Sequence, residues 1–142
     1  MSEQSNNIVL KHVTKKFGKT YAVRDLNLEI PANSFISLLG PSGCGKTTTL
    51  RMIAGLETPT EGEIWIGDRL VFSAKEGIDV PASNRGIGFL FQNYALWPHM
   101  TVFENVAFGL RVRKDTENLQ NRVRDALRTV HLEDFEKRYG LM

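Results

Sequence analysis

The chain has 142 residues, of which 42% are apolar and 24% are charged. These proportions are those of one folded domain or part of one, and they exclude a collagen-like or wholly disordered chain. The formal net charge of +2 is too small to indicate a nucleic-acid partner, and the single cysteine, Cys44, excludes an intramolecular disulfide framework. We therefore expect no nucleic acid among the partners, and a reducing compartment such as the cytoplasm.

The first third of the chain predicts a hairpin, then a strand, a glycine-rich loop and a helix. Residues 8–17 and 21–30 indicate two strands that turn around Gly18, and Pro31 stops the second. The run F-I-S-L-L at residues 35–39 is apolar without alternation, as is typical of a strand covered on both faces in a parallel sheet. From Lys46 onward apolar residues recur at helical spacing, and Gly55 is a fitting stop.

The remainder predicts a second hairpin, another buried strand and two helices. Residues 63–66 and 69–72 flank Gly67-Asp68, a sequence typical of a hairpin turn, and residues 73–84 indicate a surface loop. Residues 86–91 form a second apolar run that favours a strand. Helical spacing predicts helices over residues 101–111 and 115–131, the latter with a charged, solvated face. No segment approaches the ~20 consecutive apolar residues that a membrane span needs.

Residues 40–47 read G-P-S-G-C-G-K-T, a match to the phosphate-loop pattern G-x-x-x-x-G-K-[ST]. The glycines let successive backbone N–H groups converge on phosphate oxygens, and the helix that follows adds partial positive charge. Lys46 can reach the terminal phosphates, and Thr47 can place a hydroxyl on Mg²⁺. The competing interpretation is a glycine-rich turn with an incidental lysine. The predicted nucleotide-binding residues of this region are Gly40, Pro41, Ser42, Gly43, Cys44, Gly45, Lys46, Thr47 and Thr48.

Motifs outside the loop narrow the class of nucleotide-binding protein. The guanine motifs D-x-x-G and N-K-x-D do not occur, which argues against a GTPase. Three other stretches are V-T-K-K-F-G at 13–18, P-T-E-G-E-I at 59–64 and F-Q-N-Y-A-L-W-P-H-M-T-V-F-E-N-V at 91–106. Together they resemble the ATP-binding subunits of ABC transporters. The last stretch is most similar to importers served by extracytoplasmic binding proteins for sugars, polyamines, sulfate or ferric iron.

This resemblance, which covers about residues 8–139, implies a fold and a set of cofactors. The implied fold is α/β: a P-loop NTPase core with an antiparallel β subdomain and the start of a helical subdomain. It predicts a nucleotide-binding core over residues 1–91 and the first helices of the helical subdomain over residues 92–142. The implied cofactors are ATP and Mg²⁺.

The resemblance also implies roles for residues outside the loop. Phe17 corresponds to an aromatic residue that stacks on adenine, although it could instead anchor the hairpin to the core. Gln92 corresponds to a glutamine that touches Mg²⁺ and the attacking water, although it could be only a polar residue at a strand end. The segment 94–102, from Tyr94 to Val102, corresponds to the docking site of a membrane-spanning permease; core packing is the alternative.

The implied partners are a second ATP-binding subunit, the permease and, indirectly, an extracytoplasmic binding protein. The implied location of the chain itself is cytoplasmic, peripheral on the inner face of the cell membrane. The family's L-S-G-G-Q signature, its Asp-Glu-ending apolar strand and its switch histidine do not occur within these 142 residues. We therefore expect one side of a shared ATP site, truncated before the signature motif, with very slow turnover by this chain alone. Three hypotheses remain: an importer ATPase subunit, a nucleotide-binding or self-associating fragment without catalysis, and a soluble ABC-type ATPase outside transport.

Overall fold

The computed structural model describes residues 7–139. Contacts divide the chain into two units between Phe89 and Leu90. The first unit contains strands β1 (Ile8–Phe17), β2 (Thr20–Ile30), β3 (Glu61–Ile66), β4 (Arg69–Ser73) and β5 (Ile78–Asp79) with helix α1 (Lys46–Ala54). The second contains helices α2 (Val102–Val112) and α3 (Leu119–Thr129). Single 3₁₀ turns occur at Ala82–Asn84 and Glu133–Phe135.

The first unit is built on an antiparallel sheet with strand order β2-β1-β3-β4-β5. Both predicted hairpins are present, with Phe17 paired to Thr20 in one and Ile66 paired to Arg69 in the other. Within the predicted loop 73–84, the short strand β5 pairs with β4. Helix α1 joins the sheet in one buried core, made of Leu10, Val13, Met52, Ile53, Ile64, Val71 and Phe72.

Two sequence predictions of this region are wrong. Neither residues 35–39 nor residues 86–91 form a strand, and Phe35 and Leu39 are 93% and 92% exposed. A continuously apolar run becomes a buried strand only when other strands pair with it and other layers cover both of its faces. In the described part of the chain, the five strands form a sheet that neither run joins.

The second unit is a pair of packed helices with a small core of Ala107, Val123 and Leu127. The first predicted helix is confirmed: Thr101 is the residue before α2, and its hydroxyl accepts from the Glu104 backbone N–H in a capping box. The second is shorter than predicted, because Asn118 adopts a left-handed conformation and α3 begins after it. No helix within residues 7–139 has the length and apolar character that a bilayer crossing demands.

Candidate nucleotide-binding site

The glycine-rich loop leads directly into α1, as the sequence predicts. Gly45 is the residue before the helix, and the first intrahelical bond runs from the Thr49 N–H to the Gly45 carbonyl at 2.9 Å. The N–H groups of Lys46, Thr47 and Thr48 therefore lie in the first turn, where an α-helix supplies no acceptor. No side chain caps this end of the helix in the structure. These amides and the helix dipole together favour an anion.

The Lys46 ammonium lies inside the loop. Nζ donates to the carbonyl oxygens of Gly40 at 2.7 Å and Pro41 at 2.6 Å, and it lies 3.3 Å from Cys44 Sγ. A positive charge is therefore fixed among the loop atoms beside the free amides of α1. A cavity of about 370 Å³ opens next to the loop, lined by residues 37–39, 44–46 and 49 with Leu26 and Leu28. Part of the loop and part of β2 therefore line the same cavity.

Strand β2 lies against the glycine-rich loop at Gly45, and it is also one of the two strands of the hairpin that carries Phe17. The Ala22 carbonyl approaches Gly45 so closely that a Cβ on Gly45 would lie 2.5 Å from it. Two residues earlier on the same strand, Thr20 pairs with Phe17. Because a strand advances about 3.3 Å per residue, this end of the hairpin lies beside the phosphate loop.

Phe17 is not a core residue. Its side chain is 51% exposed and does not belong to the cluster that packs α1 against the sheet. The observed exposure argues against an anchoring role and leaves the ring accessible to a planar ligand. Its stacking on adenine stays a prediction.

Arg85 is a site-supporting residue that sequence reasoning missed. It is 4% exposed and donates to the carbonyl oxygens of Met52 and Ile53, at the C-terminal end of α1, at 2.8 and 3.1 Å. It also donates to the Val80 carbonyl and pairs with Asp79 at 3.0 Å. Burial lowers the pKa of the Arg85 guanidinium, and the Asp79 carboxylate opposes that effect. A cation at this end of α1 complements the helix dipole. No local sequence signal distinguishes Arg85 from an arginine on the surface.

The second unit carries Gln92 and the segment 94–102. Gln92 is exposed in a turn, and Tyr94 is 73% exposed. Asn105 of α2 fixes the segment that follows: its Oδ1 accepts from the Trp97 N–H, and its Nδ2 donates to the carbonyls of Trp97, Met100 and Thr101. Trp97 also packs on Phe108 with ring centroids 4.2 Å apart. The segment therefore contains both packed and exposed apolar side chains. Trp97 packs on Phe108, whereas Tyr94 and Leu96 face solvent.

A magnesium ion would find few protein ligands here. No cluster of three or more His, Cys, Asp or Glu side chains suited to a metal occurs among residues 7–139. Thr47 is exposed in the first turn of α1, next to the amides that favour an anion. This donor set fits Mg²⁺ that is held mainly by phosphate oxygens and only secondarily by the protein.

A glycine-rich loop entering a helix, a lysine within the loop and a mixed helix–sheet core define the class as a phosphate-loop nucleotide-binding protein. Comparison with known proteins gives the family. The model of the ABC transporter family matches residues 23–140. The chain belongs to this family.

Curated relatives of the chain are ATP-binding proteins of import systems. It is 51% identical over 130 residues to the trehalose/maltose import ATP-binding protein MalK of Thermococcus litoralis, covering 91% of this chain and 35% of that protein. It is 49% identical to the spermidine/putrescine import ATP-binding protein PotA of Haemophilus ducreyi (93% and 34%) and 46% identical to the Fe(3+) ions import ATP-binding protein FbpC of Vibrio cholerae (96% and 38%). The chain thus spans about a third of the length of these relatives.

Solved structures support the same fold. The ATP-binding cassette MJ0796, in a dimeric post-hydrolysis state bound to ADP and Pi, superposes with a TM-score of 0.77 at 34% identity. The match covers 93% of this chain and 61% of that chain. The predicted fold class, a phosphate-loop NTPase core with an antiparallel sheet, is therefore confirmed.

Proposed function

We propose that this chain binds Mg²⁺–ATP through residues 40–48 and contributes that site to the ATP-binding subunit of an importer. The observation that carries the proposal is the first turn of α1, whose free amides lie beside the Lys46 ammonium. The triphosphate of ATP would replace the carbonyl oxygens of Gly40 and Pro41 as the hydrogen-bond partner of the Lys46 ammonium. Phe17 would receive the adenine, and Thr47 would contribute a hydroxyl to Mg²⁺.

The binding step can be tested by calorimetric titration of the chain with Mg²⁺–ATP. We expect Lys46→Ala to weaken binding at least about tenfold, because a charge-assisted contact to phosphate is lost. Lys75→Ala is the matched control, since it removes the same charge from an exposed loop of the first unit. Equal affinities of the parent and Lys46→Ala would refute the proposal.

The proposed importer role includes partners and an ATPase step. Gln92 would contact Mg²⁺ and the attacking water, and the exposed part of segment 94–102 would dock a membrane-spanning permease at the inner face of the membrane. A second ATP-binding subunit would complete the site, and an extracytoplasmic binding protein would deliver the solute. Co-purification with a permease would support transport over a soluble ABC-type ATPase, and an ATPase assay beside the titration would show whether bound nucleotide turns over.

A second candidate function is self-association without catalysis. It is favoured by the exposure of Phe35 and Leu39, which are large apolar side chains four residues apart with almost all of their surface in solvent. Unpaired apolar segments are ready templates for contact with another chain. Sedimentation velocity should then show larger species as concentration rises, and Phe35→Ser with Leu39→Ser should remove them. Monomers at all concentrations would exclude this candidate.

A further inference from the structure

Lys15 lies beneath the ring of Phe17. It precedes Phe17 by two residues on β1, where the pairing with β2 is irregular between Lys15 and Lys16, and the two side chains are in contact. The Lys15 side chain is only 14% exposed, and its Nζ lies 4.8 Å from the centroid of the Phe17 ring. An ammonium at this distance from a ring face makes a cation–π contact.

Two oxygens hold the Lys15 ammonium in place. It pairs with Glu57 Oε1 at 2.6 Å and donates to the Thr58 carbonyl at 2.7 Å. Both residues belong to the stretch that follows α1, the helix of the phosphate loop. Lys15 therefore links the aromatic residue at the hairpin to the chain at the far end of that helix.

This contact makes the two faces of the Phe17 ring unequal. One face is occupied by the ammonium, and the ring is still half exposed. The positive charge draws ring electron density toward itself, so the opposite face repels the π-electrons of an electron-rich purine less than an isolated ring does.

We propose that Lys15 is a positioning residue that fixes the Phe17 ring and presents its opposite face to a purine base. This inference rests on the proposed function, in which Phe17 receives the adenine of ATP. Lys15 acts through Phe17 and makes no contact with the phosphates.

The neighbouring residue provides a matched control. Lys16 Nζ lies 4.8 Å from the centroid of the Tyr21 ring and 3.3 Å from Glu61 Oε1. Lys16→Met therefore removes the same charge one residue away. It also removes a cation–π contact of the same kind, but with the Tyr21 ring instead of the Phe17 ring.

The test is a calorimetric titration with two probes, Mg²⁺–ATP and magnesium tripolyphosphate, which lacks a base. We expect Lys15→Met to weaken ATP binding about two- to fivefold and to leave tripolyphosphate binding unchanged. Lys16→Met should bind both probes as the parent does. When Phe17 is already replaced by Ala, Lys15→Met should not weaken ATP binding further. If Lys15→Met instead caused a general structural defect, its loss of ATP affinity would add to the loss caused by Phe17→Ala.

A second variant covers the case in which Lys15→Met folds poorly by circular dichroism. Glu57→Gln keeps Lys15 but removes its ion pair. It should weaken ATP binding by a smaller factor than Lys15→Met does, and it should have no effect when Phe17 is already replaced by Ala. The inference is overturned if neither variant changes ATP affinity, if tripolyphosphate binding falls equally, or if the effect persists without Phe17. If Phe17→Ala itself binds ATP as the parent does, the proposed adenine site fails and this inference fails with it.

Discussion

Gly45 illustrates at the scale of one residue how backbone geometry determines the phosphate loop. Its φ of 92° lies in the left-handed region, and a Cβ there would lie 2.5 Å from the Ala22 carbonyl and 2.9 Å from Val23 Cγ2. Both the turn into α1 and the close approach of β2 therefore require a residue without a side chain.

We predict that Gly45→Ala lowers the free energy of unfolding by about 1–3 kcal/mol and also weakens nucleotide binding. Urea unfolding followed by circular dichroism measures the first effect. Gly88→Ala is the control, because a Cβ at Gly88 meets no atom within 4 Å and no left-handed φ is involved. Equal stabilities of these two variants would contradict the role given to Gly45.

The turn of the loop into α1 could be predicted from the sequence, because three glycines and a lysine at fixed spacing encode local backbone geometry. Nucleotide binding by these residues stays a prediction. Arg85 could not be predicted. Its partners come from the end of α1, from β5 and from the residue after β5, so its environment exists only after the chain has folded.

The two ends of helix α1 differ in how their backbone groups are satisfied. Its N-terminal amides are left for a ligand, whereas its C-terminal carbonyls are satisfied by Arg85 and by backbone N–H groups. The helix therefore packs its C-terminal half firmly into the core while its N-terminus stays open to the loop.

We expect Arg85→Met to lower the free energy of unfolding by about 2–4 kcal/mol. It removes the Arg85 donor from the carbonyl of Ile53, leaves the Met52 carbonyl with only the Gly55 N–H, and takes away the ion-pair partner of Asp79. Arg69→Met provides a comparison: Arg69 is exposed and donates to the Asn84 carbonyl, so its loss should cost less than about 1 kcal/mol. Chemical denaturation of both variants measures the difference. A stability of Arg85→Met close to that of Arg69→Met would show that the buried network contributes little.

Helix α2 should depend on pH through its capping box. The backbone N–H of Thr101, followed by its hydroxyl, holds the pKa of Glu104 below its ordinary value. A carboxyl whose pKa is depressed on folding stabilises the folded state above its unfolded pKa, and this contribution is lost as the pH falls through the folded value.

Glu104→Gln keeps the hydrogen-bonding shape of the capping box but cannot ionise. The parent should therefore melt at a higher temperature than Glu104→Gln at pH 7, and the gap should close as the pH falls below about 4.3. Thermal melts followed at 222 nm across this range test the prediction. A gap that is independent of pH would show that the charge of Glu104 does not act on α2.

Hairpins and amphipathic helices could be predicted because their signals lie within the element itself. The runs 35–39 and 86–91 could not, because a strand of a parallel sheet is completed by partners far away in sequence. Leu39 of the first run and Leu90 of the second are largely exposed. An apolar composition of a run is therefore not enough by itself to form a strand.

At the scale of the whole molecule, the chain supplies two compact units and about a third of the length of its curated relatives. The phosphate loop and the Phe17 hairpin belong to the first unit, and Gln92 and the segment 94–102 belong to the second. The residues proposed to bind the nucleotide therefore lie in the first unit, and those proposed to contact the attacking water and the permease lie in the second.

The most direct test is to follow the backbone N–H signals of residues 43–48 by NMR during titration with Mg²⁺–ATP. We predict that these amides shift together and saturate with a single affinity, and that adenosine, which has no phosphate, leaves them nearly unchanged. Loop amides that stay in place while signals elsewhere in the chain respond to ATP would contradict a phosphate cradle at the start of α1.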